Sequence, residues 1–372
     1  MNHRHPEKRP TGFSSSNVAK RTYNQAMNEK IGSSVDVISR ESVRQVKQSH
    51  GYAARGDRSL AQWQCDLRAE LTALLAIPGR PCPPPAVEFD EEVACDGYTR
   101  RRGVMRAADG LAVPFFLLLP VPAPKSLPVC LAIHGHGPGK ILPAGLPANE
   151  KDRKSIAEGE RDYGVQAVRN GYLTVVPELR GFGELMLPAD LAAKRDNSCL
   201  QLSMRGVHLG KPLLGQRISD MMQLIDWALS RPDADGRVVI TGNSGGGTVS
   251  LFAAAVDERI TAAVPSCYYS TFQDSILDIW HCPCNFVPRL QTVAEMSDLA
   301  GLITPRPLLI VAGKTDRIFP IDAVRRGFAA ASEIYRDAGA ADCIELYEGE
   351  GGHRYYAARV WNFLREHLAR RA

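Results

Sequence analysis

The 372-residue sequence has no apolar run approaching the roughly 18 residues of a membrane-spanning helix, and its start, MNHRHPEKRP, lacks the apolar core of a secretory signal. It also lacks a regular cysteine framework, because its nine cysteines are an odd number and only Cys282 and Cys284 are close neighbours. We therefore expect a soluble cytoplasmic protein with no membrane partner, whose cysteines are mostly reduced.

Outside the first 55 residues, neither basic nor acidic side chains are in large excess. These residues contain ten Lys/Arg and four acidic side chains, whereas the whole chain has a net charge of only +4, so the remainder is slightly acidic. The basic residues are dispersed and are accompanied by only three aromatics, Phe13, Tyr23 and Tyr52, which does not favour a nucleic-acid partner. We predict a polar basic arm over residues 1–56, flexible or packed against a partner.

The rest of the chain, residues 57–372, has the composition of one globular domain. Residues 57–85 are expected to form an N-terminal helix followed by a Pro-rich linker, because Leu60, Trp63, Leu67 and Leu71 recur at helical spacing before the breaker PGRPCPPP. This helical extension is expected to pack against the body of the domain.

From about residue 86 the chain alternates short apolar strands with helices. Strands are predicted over 113–120, 128–135, 172–179, 237–241, 260–266, 307–313 and 343–349. Helices are predicted over 155–170, 215–230, 322–338 and 355–369, and one more helix follows the strand 237–241 and ends at about residue 257. This alternation predicts an α/β fold with a doubly wound, mostly parallel sheet. Two inserts, 184–213 and 268–300, leave from strand ends and are expected to form a small cap, or lid.

Ser244 lies within RVVITGNSGGGTVSLFAAA, where an apolar strand pattern changes to a helical one and four glycines surround one serine. Gly242, Ser244 and Gly246 match the Gly-x-Ser-x-Gly nucleophile elbow, in which the serine is displayed at a tight strand-to-helix turn. A plain glycine turn is the alternative, but the strand before and the helix after favour the elbow. Gly247 lies outside the minimal motif.

An elbow serine requires an acid and then a histidine, in that chain order. Asp316 follows the strand PLLIVAG, and His353 follows the strand CIELYEG, so each is expected at a strand's carboxyl end. Asp322 is an alternative acid, although its position favours the first turn of the next helix. We predict the catalytic set Ser244, Asp316 and His353.

The tetrahedral intermediate of acyl transfer also needs backbone donors for its oxyanion. Gly245 follows the nucleophile, and the loop HGHGPGK offers His136 and then Gly137 as the second donor. A phosphate-binding interpretation of this loop fails, because His134 replaces its first glycine and Ile141 replaces its Ser/Thr.

Several polar and aromatic residues near the predicted strand ends are candidates for the substrate pocket: His134, Arg180, Phe182, Tyr268, Tyr269, Trp280 and His281. Arg180 has a second interpretation as a structural residue paired with Glu178, Glu184 or Asp220. Two sets, His134 with His136 or His281 with Cys282 and Cys284, have some metal-ligand character. Neither has the spaced ligand pairs of a zinc site, so we expect no metal and no cofactor.

The motifs HGHGPGK, ELRGFGE, GNSGGGT, GKTDRIFP and GGHRYY, in this order, resemble the α/β-hydrolase family, specifically its dienelactone-hydrolase-like and acetylxylan-esterase-like branch. The resemblance covers roughly residues 90–372. It implies a serine carboxylester hydrolase but neither named substrate, because Ser244 replaces the cysteine of dienelactone hydrolases and Phe182 replaces the Gln of an Arg-Gly-Gln motif in the deacetylases.

The sequence thus predicts an enzyme that cleaves a small-molecule carboxylic ester through an acyl-enzyme. A thioesterase or acyltransferase of secondary metabolism could use the same three residues, as could a peptidase. A non-catalytic ligand-binding protein of this fold is the alternative from another class. A homodimer stays open.

Overall fold

The computed structural model describes residues 31–79 and 84–369. They divide between residues 46 and 47 into two units, so the first contains residues 31–46 and the second contains the other described residues. In the first unit, residues 31–44 are helical and mostly exposed. The second unit begins earlier than the predicted residue 57, because His50 accepts a hydrogen bond from Trp63 Nε1 at 2.8 Å and Tyr52 donates its N–H to Asp298 Oδ1 at 2.8 Å. The first 30 residues of the predicted arm and residues 80–83 of the predicted linker lie outside the described residues.

A nine-stranded sheet forms the centre of the second unit, in the order β1-β2-β3-β5-β4-β6-β7-β8-β9. Its strands are β1 Val87–Cys95, β2 Tyr98–Arg106, β3 Ala112–Pro120, β4 Leu127–Ile133, β5 Leu173–Pro177, β6 Ala234–Asn243, β7 Ile260–Ser266, β8 Leu308–Gly313 and β9 Ile344–Gly349. The pairs from β5 through β9 are parallel, whereas β1, β2, β3 and β5 pair antiparallel. The carboxyl ends of the parallel strands therefore share one edge.

Helices cover both faces of this sheet. They are α1 Leu60–Leu74, α2 Glu150–Gly159, α3 Tyr163–Arg169, α4 Pro188–Ala192, α5 Cys199–His208, α6 Leu213–Leu229, α7 Gly245–Val256, α8 Leu290–Val293, α9 Met296–Gly301, α10 Ile321–Asp337 and α11 Val360–Ala369. One apolar core lies under α1, α6, α7, α9 and α10, and a second lies under α3 and α11. This arrangement is the predicted doubly wound sheet.

The N-terminal helix α1 is fixed at its start and along one face. Ser59 and Gln62 form a reciprocal capping box, which satisfies two of the free amides at the helix start. Trp63, Leu67 and Leu71 are fully buried, as their spacing predicts. Full burial of each such side chain contributes roughly 1.5–3 kcal/mol.

The structure differs from the predicted elements in two places. Strands β1 and β2 were not predicted, because their many charged residues lie on an antiparallel, half-exposed edge and break the apolar pattern. The single helix predicted over 155–170 is two helices, α2 and α3, because Glu160 takes a left-handed conformation with φ 50° and ends the first. Within the described residues, no helix combines the length and apolar character needed to cross a membrane.

Candidate active site

Ser244 occupies the turn between β6 and α7. Its backbone has φ 58° and ψ −120°, a strained conformation for a residue with a side chain, and its N–H donates to Ser266 O at 2.8 Å. The serine is thus held at the carboxyl end of β6 by the neighbouring strand β7. This is the backbone geometry of a nucleophile elbow.

The glycines after Ser244 allow the turn to pack tightly. A β-carbon on Gly246 would lie 2.0 Å from Ile133 O of β4, so a side chain cannot be placed there without moving the backbone. A β-carbon on Gly247 would lie 2.8 Å from both Ser266 O and Tyr268 Cβ. Gly247, which the minimal motif does not require, is therefore explained by the close approach of α7 to the end of β7.

Asp316 and His353 are hydrogen bonded to each other in the loops after β8 and β9. His353 Nδ1 lies 2.7 Å from Asp316 Oδ2, and the aspartate side chain is only 1% exposed. Asp316 Oδ1 accepts from the backbone N–H groups of Ile318 and Phe319, at 3.0 and 3.3 Å. These amides hold the carboxylate in place, and the stacked ring of Phe319 supports the imidazole.

A cavity of about 890 Å³ opens at this edge of the sheet, and Ser244 and His353 both line it. Its other lining residues are His136, Arg161, Lys194, Arg195, Asp196, Asn197, Leu200, Gly245, Tyr268, Trp280, His281, Cys282, Pro283, Asn285, Ile318 and Phe319. Both predicted cap inserts contribute to this wall. The volume is in the range of small-molecule sites.

The two predicted oxyanion residues lie side by side in the cavity wall. His136 Nδ1 is 3.1 Å from the point where Gly245 would carry a β-carbon, so the loop after β4 contacts the first turn of α7. The backbone N–H groups at the start of α7 have no partners within the helix. Gly137, the next predicted donor, does not line the cavity.

Comparisons of the sequence with known proteins give two matches. A family model described as X-Pro dipeptidyl-peptidase (S15 family) matches residues 204–309. The "Putative hydrolase YtaP" of Bacillus subtilis (strain 168) is 25% identical over 250 residues, covering 64% of this chain and 77% of that protein.

Two solved structures resemble this chain over most of its length. A "putative acetyl xylan esterase" from Bacteroides fragilis NCTC 9343 matches with a TM-score of 0.71 at 18% identity, covering 84% of this chain and 81% of that chain. A glucuronoyl esterase from Solibacter usitatus matches with a TM-score of 0.61 at 16% identity, covering 84% and 94%. The chain has the α/β-hydrolase fold. The predicted fold class is confirmed.

Within this fold, two predicted pocket residues lie in a buried polar network. His134 is 2% exposed and its Nε2 lies 3.0 Å from Glu178 Oε1, while Lys140 Nζ lies 3.3 Å from Glu178 Oε2. Phe182 is 1% exposed and packs edge-on against the rings of His134 and His136. The prediction that His134 and Phe182 line the pocket is corrected: both support the loop after β4 from behind.

Arg180 and Tyr269 also lie away from the cavity. Arg180 forms a bidentate ion pair with the buried Asp220, at 2.7 Å through both Nε and Nη2, and a second pair with Asp109 at 2.7 Å. Its structural interpretation, with Asp220 as partner, is the one the geometry supports. Tyr269 is buried and donates its hydroxyl to Gly327 O at 2.9 Å, so it is a core residue. Both pocket predictions are corrected accordingly.

The other three predicted pocket residues line the cavity. Tyr268 forms part of its buried wall, and Trp280 stands at its rim with 86% of the residue exposed. His281 is held by Ser275 Oγ at 3.0 Å from its Nε2. Burial lowers the pKa of His281 from its ordinary value, and the nearby His353 adds to this effect.

Residues of the first cap insert were missed as individual candidates. Lys194, Arg195, Asp196 and Asn197 form a polar stretch of the cavity wall, and Arg161 joins them from the loop before α3. The signal is a run of polar residues, KRDN, of which three are charged, inside an insert predicted to be a lid. Cys199, just beyond it, lies beside His136 and Cys284.

Proposed function

We propose that this chain is a serine-dependent hydrolase of carboxylic esters. The observation that carries the proposal is the 2.7 Å contact between His353 Nδ1 and Asp316 Oδ2, in a wall that also displays Ser244 on a strained elbow. An aspartate bonded to Nδ1 fixes the tautomer that leaves Nε2 free to act as the base. Two structural neighbours are named as esterases, which supports the choice of ester substrates.

In the proposed cycle, His353 removes the proton of Ser244 Oγ as the oxygen attacks the ester carbonyl. The backbone N–H groups of Gly245 and His136 stabilise the developing oxyanion. The imidazolium of His353 then gives its proton to the leaving alcohol. Water, deprotonated by His353, attacks the acyl-enzyme, releases the acid and regenerates Ser244. Asp316 stays ionised throughout and stabilises the imidazolium.

The charge of the cavity wall narrows the proposed substrate class. Arg161, Lys194 and Arg195 face the cavity with one carboxylate, Asp196. A wall with this balance attracts anions and raises their local concentration. We therefore propose an ester that carries a negative charge, such as a carboxylate, on its acyl or alcohol part.

A second candidate is a dipeptidyl-peptidase, favoured by the match of residues 204–309 to the S15 model. The matched segment contains Ser244 but ends before Asp316 and His353. An enzyme that recognises a free N-terminus needs a carboxylate to bind its ammonium group. In the described cavity wall, only Asp196 offers one, next to Arg195, so the wall favours an anionic ester over this candidate.

Covalent labelling of the full chain by a fluorophosphonate tests the proposal. We expect stoichiometric labelling and turnover of short acyl esters, with both lost in Ser244→Ala. Ser332→Ala is the matched control, because Ser332 lies on α10 and, among the described residues, its hydroxyl bonds only to Phe328 O of the same helix, at 2.8 Å. Unchanged ester turnover by Ser244→Ala would overturn the mechanism.

The same preparation distinguishes the alternatives. Faster release from an X-Pro dipeptide amide than from esters would identify the peptidase, and preference for thioesters would identify a thioesterase. Transfer of the acyl group to an added alcohol in preference to water would identify an acyltransferase. Absence of labelling, in a folded chain, would leave a non-catalytic binding protein of this fold.

A further inference from the structure

Three thiols and one imidazole converge beside the loop that carries the proposed oxyanion donor. They belong to His136, Cys199, Cys282 and Cys284, and their ligand atoms all lie within 4.8 Å of one another. Cys284 Sγ is 3.3 Å from Cys282 Sγ and 3.5 Å from His136 Nε2. The cluster joins the loop after β4, the start of α5 in the first insert, and the loop around 282–284 in the second insert.

These separations are close to those of a tetrahedral zinc site. With Zn–S about 2.3 Å and Zn–N about 2.0–2.1 Å, tetrahedral geometry places two sulfurs about 3.8 Å apart and a sulfur and a nitrogen about 3.6 Å apart. The Cys284–His136 separation agrees with the second value, and the Cys282–Cys284 separation is slightly short of the first. Cys₃His is also one of the ligand sets that structural zinc uses.

The charge around the cluster also fits a bound divalent ion. Arg217 is 2% exposed, and its Nη2 lies 3.2 Å from Cys199 Sγ. Within the described residues its other hydrogen bonds go to the backbone oxygen of Arg180, and the buried Asp220 interacts with it electrostatically without an ion pair or hydrogen bond. A buried guanidinium requires a compensating anion. Three thiolates and one Zn²⁺ carry a net charge of −1, which Arg217 would neutralise.

We propose that His136, Cys199, Cys282 and Cys284 bind one Zn²⁺ ion. On binding, three sulfur–zinc bonds and one nitrogen–zinc bond form, and the three thiol protons leave to solvent with no change in oxidation state. Four protein ligands complete a tetrahedral shell, which is typical of structural rather than catalytic zinc. The ion would tie both cap inserts to the His136 loop and so hold the His136 N–H in the cavity wall.

The two candidate sets in the sequence, His134 with His136 and His281 with Cys282 and Cys284, both differ from this ligand set. His281 is adjacent to Cys282 in sequence, but its Nε2 lies 3.0 Å from Ser275 Oγ and it is not a member of the cluster. His136 and Cys199 replace it, and both come from distant parts of the chain. Their spacing gives no zinc motif, which is why a metal was not expected from the sequence.

The test is elemental analysis of the full chain, expressed with zinc in the medium, purified under reducing conditions without chelator, and dialysed. We expect one zinc per chain, an X-ray absorption spectrum with three sulfur neighbours and one nitrogen, and release of the ion as the thiols are titrated with a mercurial. These readouts use the wild-type protein and do not depend on catalysis, so their failure is separate from failure of the proposed function.

Zinc content in matched cysteine variants is the second part of the test. Cys282→Ser and Cys284→Ser should each retain less than about one tenth of the zinc, whereas Cys65→Ser, at an exposed free cysteine, should retain all of it. Three results would each overturn the proposal: no zinc in the wild type even after zinc is added, full zinc in both cluster variants, or a disulfide among Cys199, Cys282 and Cys284 in protein purified under reducing conditions. One equivalent of a different metal would overturn the assignment to zinc.

Discussion

His353 Nδ1 and Asp316 Oδ2 are 2.7 Å apart, although the two residues come from loops after different strands. The contact exists because β8 and β9 are parallel neighbours, so their carboxyl ends meet at one edge of the sheet. We expect Asp316→Asn to lower kcat for ester hydrolysis by roughly 10³- to 10⁴-fold, because the amide favours the wrong imidazole tautomer.

Asp322→Asn is the control for this prediction. Asp322 lies in the first turn of α10, is mostly exposed and pairs with Arg325 at 3.2 Å. Its substitution should leave kcat within about twofold of the wild type. Equal losses in the two variants would contradict the assignment of Asp316 as the orienting acid.

Gly247→Ala should destabilise the protein. The added β-carbon would lie 2.8 Å from Ser266 O and Tyr268 Cβ, so α7 must shift against the end of β7, at a cost of roughly 1–3 kcal/mol. Urea unfolding measures this difference. Gly79→Ala, where a β-carbon meets nothing within 4 Å, is the control, and a loss of similar size there would refute the packing explanation.

Trp280→Ala should change substrate binding more than stability. Trp280 stands at the cavity rim and is 86% exposed, so its removal should alter the free energy of unfolding by about 0.5 kcal/mol or less. We expect KM for aromatic esters to rise by up to about tenfold, or ~1.4 kcal/mol. Leu209→Ala, at an exposed position away from the cavity, should leave KM unchanged. Steady-state kinetics on both variants measure KM, and equal KM values in Trp280→Ala and the wild type would contradict a role of Trp280 in substrate binding.

Arg161→Gln should reduce the preference for anionic esters. Arg161 lines the cavity, and its guanidinium favours a substrate carboxylate by about 1 kcal/mol, equivalent to roughly fivefold in KM. The ratio of KM values for a carboxylate-bearing ester and its neutral analogue should shift by this amount, and less at high salt. Arg153→Gln, on the exposed face of α2, should not change the ratio. An unchanged ratio in Arg161→Gln would remove the case for an anionic substrate.

Glu295→Gln should flatten the dependence of stability on pH. Burial raises the pKa of Glu295 to about 7, despite hydrogen bonds from the N–H groups of Met296 and Phe272 to Oε1. Between about pH 4.5 and 7 the folded chain holds this proton and the unfolded chain does not, so stability falls as pH rises, by up to about 1.4 kcal/mol per pH unit.

The measurement is urea unfolding of both proteins from pH 5 to 8. The stability of Glu295→Gln relative to the wild type should increase with pH up to about 7 and then stay constant. Glu333→Gln, at an exposed position on α10, should follow the wild-type curve. A parallel pH profile for Glu295→Gln would show that Glu295 does not titrate in this range.

The sequence predicted those features that depend on short stretches of chain. The elbow around Ser244, the apolar strands β4 to β9 and the helices α1 and α6 each have a local signature, because backbone geometry and burial restrict which residues fit. Chain order then predicted that Asp316 and His353 would meet, since parallel strands bring their ends to one edge. Strands β1 and β2 were not predicted, because a half-exposed antiparallel edge tolerates charged residues that break the apolar pattern.

Side-chain direction and long-range contact were decided only by the tertiary structure. His134 and His136 are two residues apart, yet one is bonded to the buried Glu178 and the other faces the cavity and the thiols of Cys199 and Cys284. Arg180 pairs with Asp220, and Cys199 lies beside the His136 loop. Both contacts depend on how the cap inserts pack. A contact between residues far apart in the chain depends on how whole elements pack, and no local pattern of residue types encodes it.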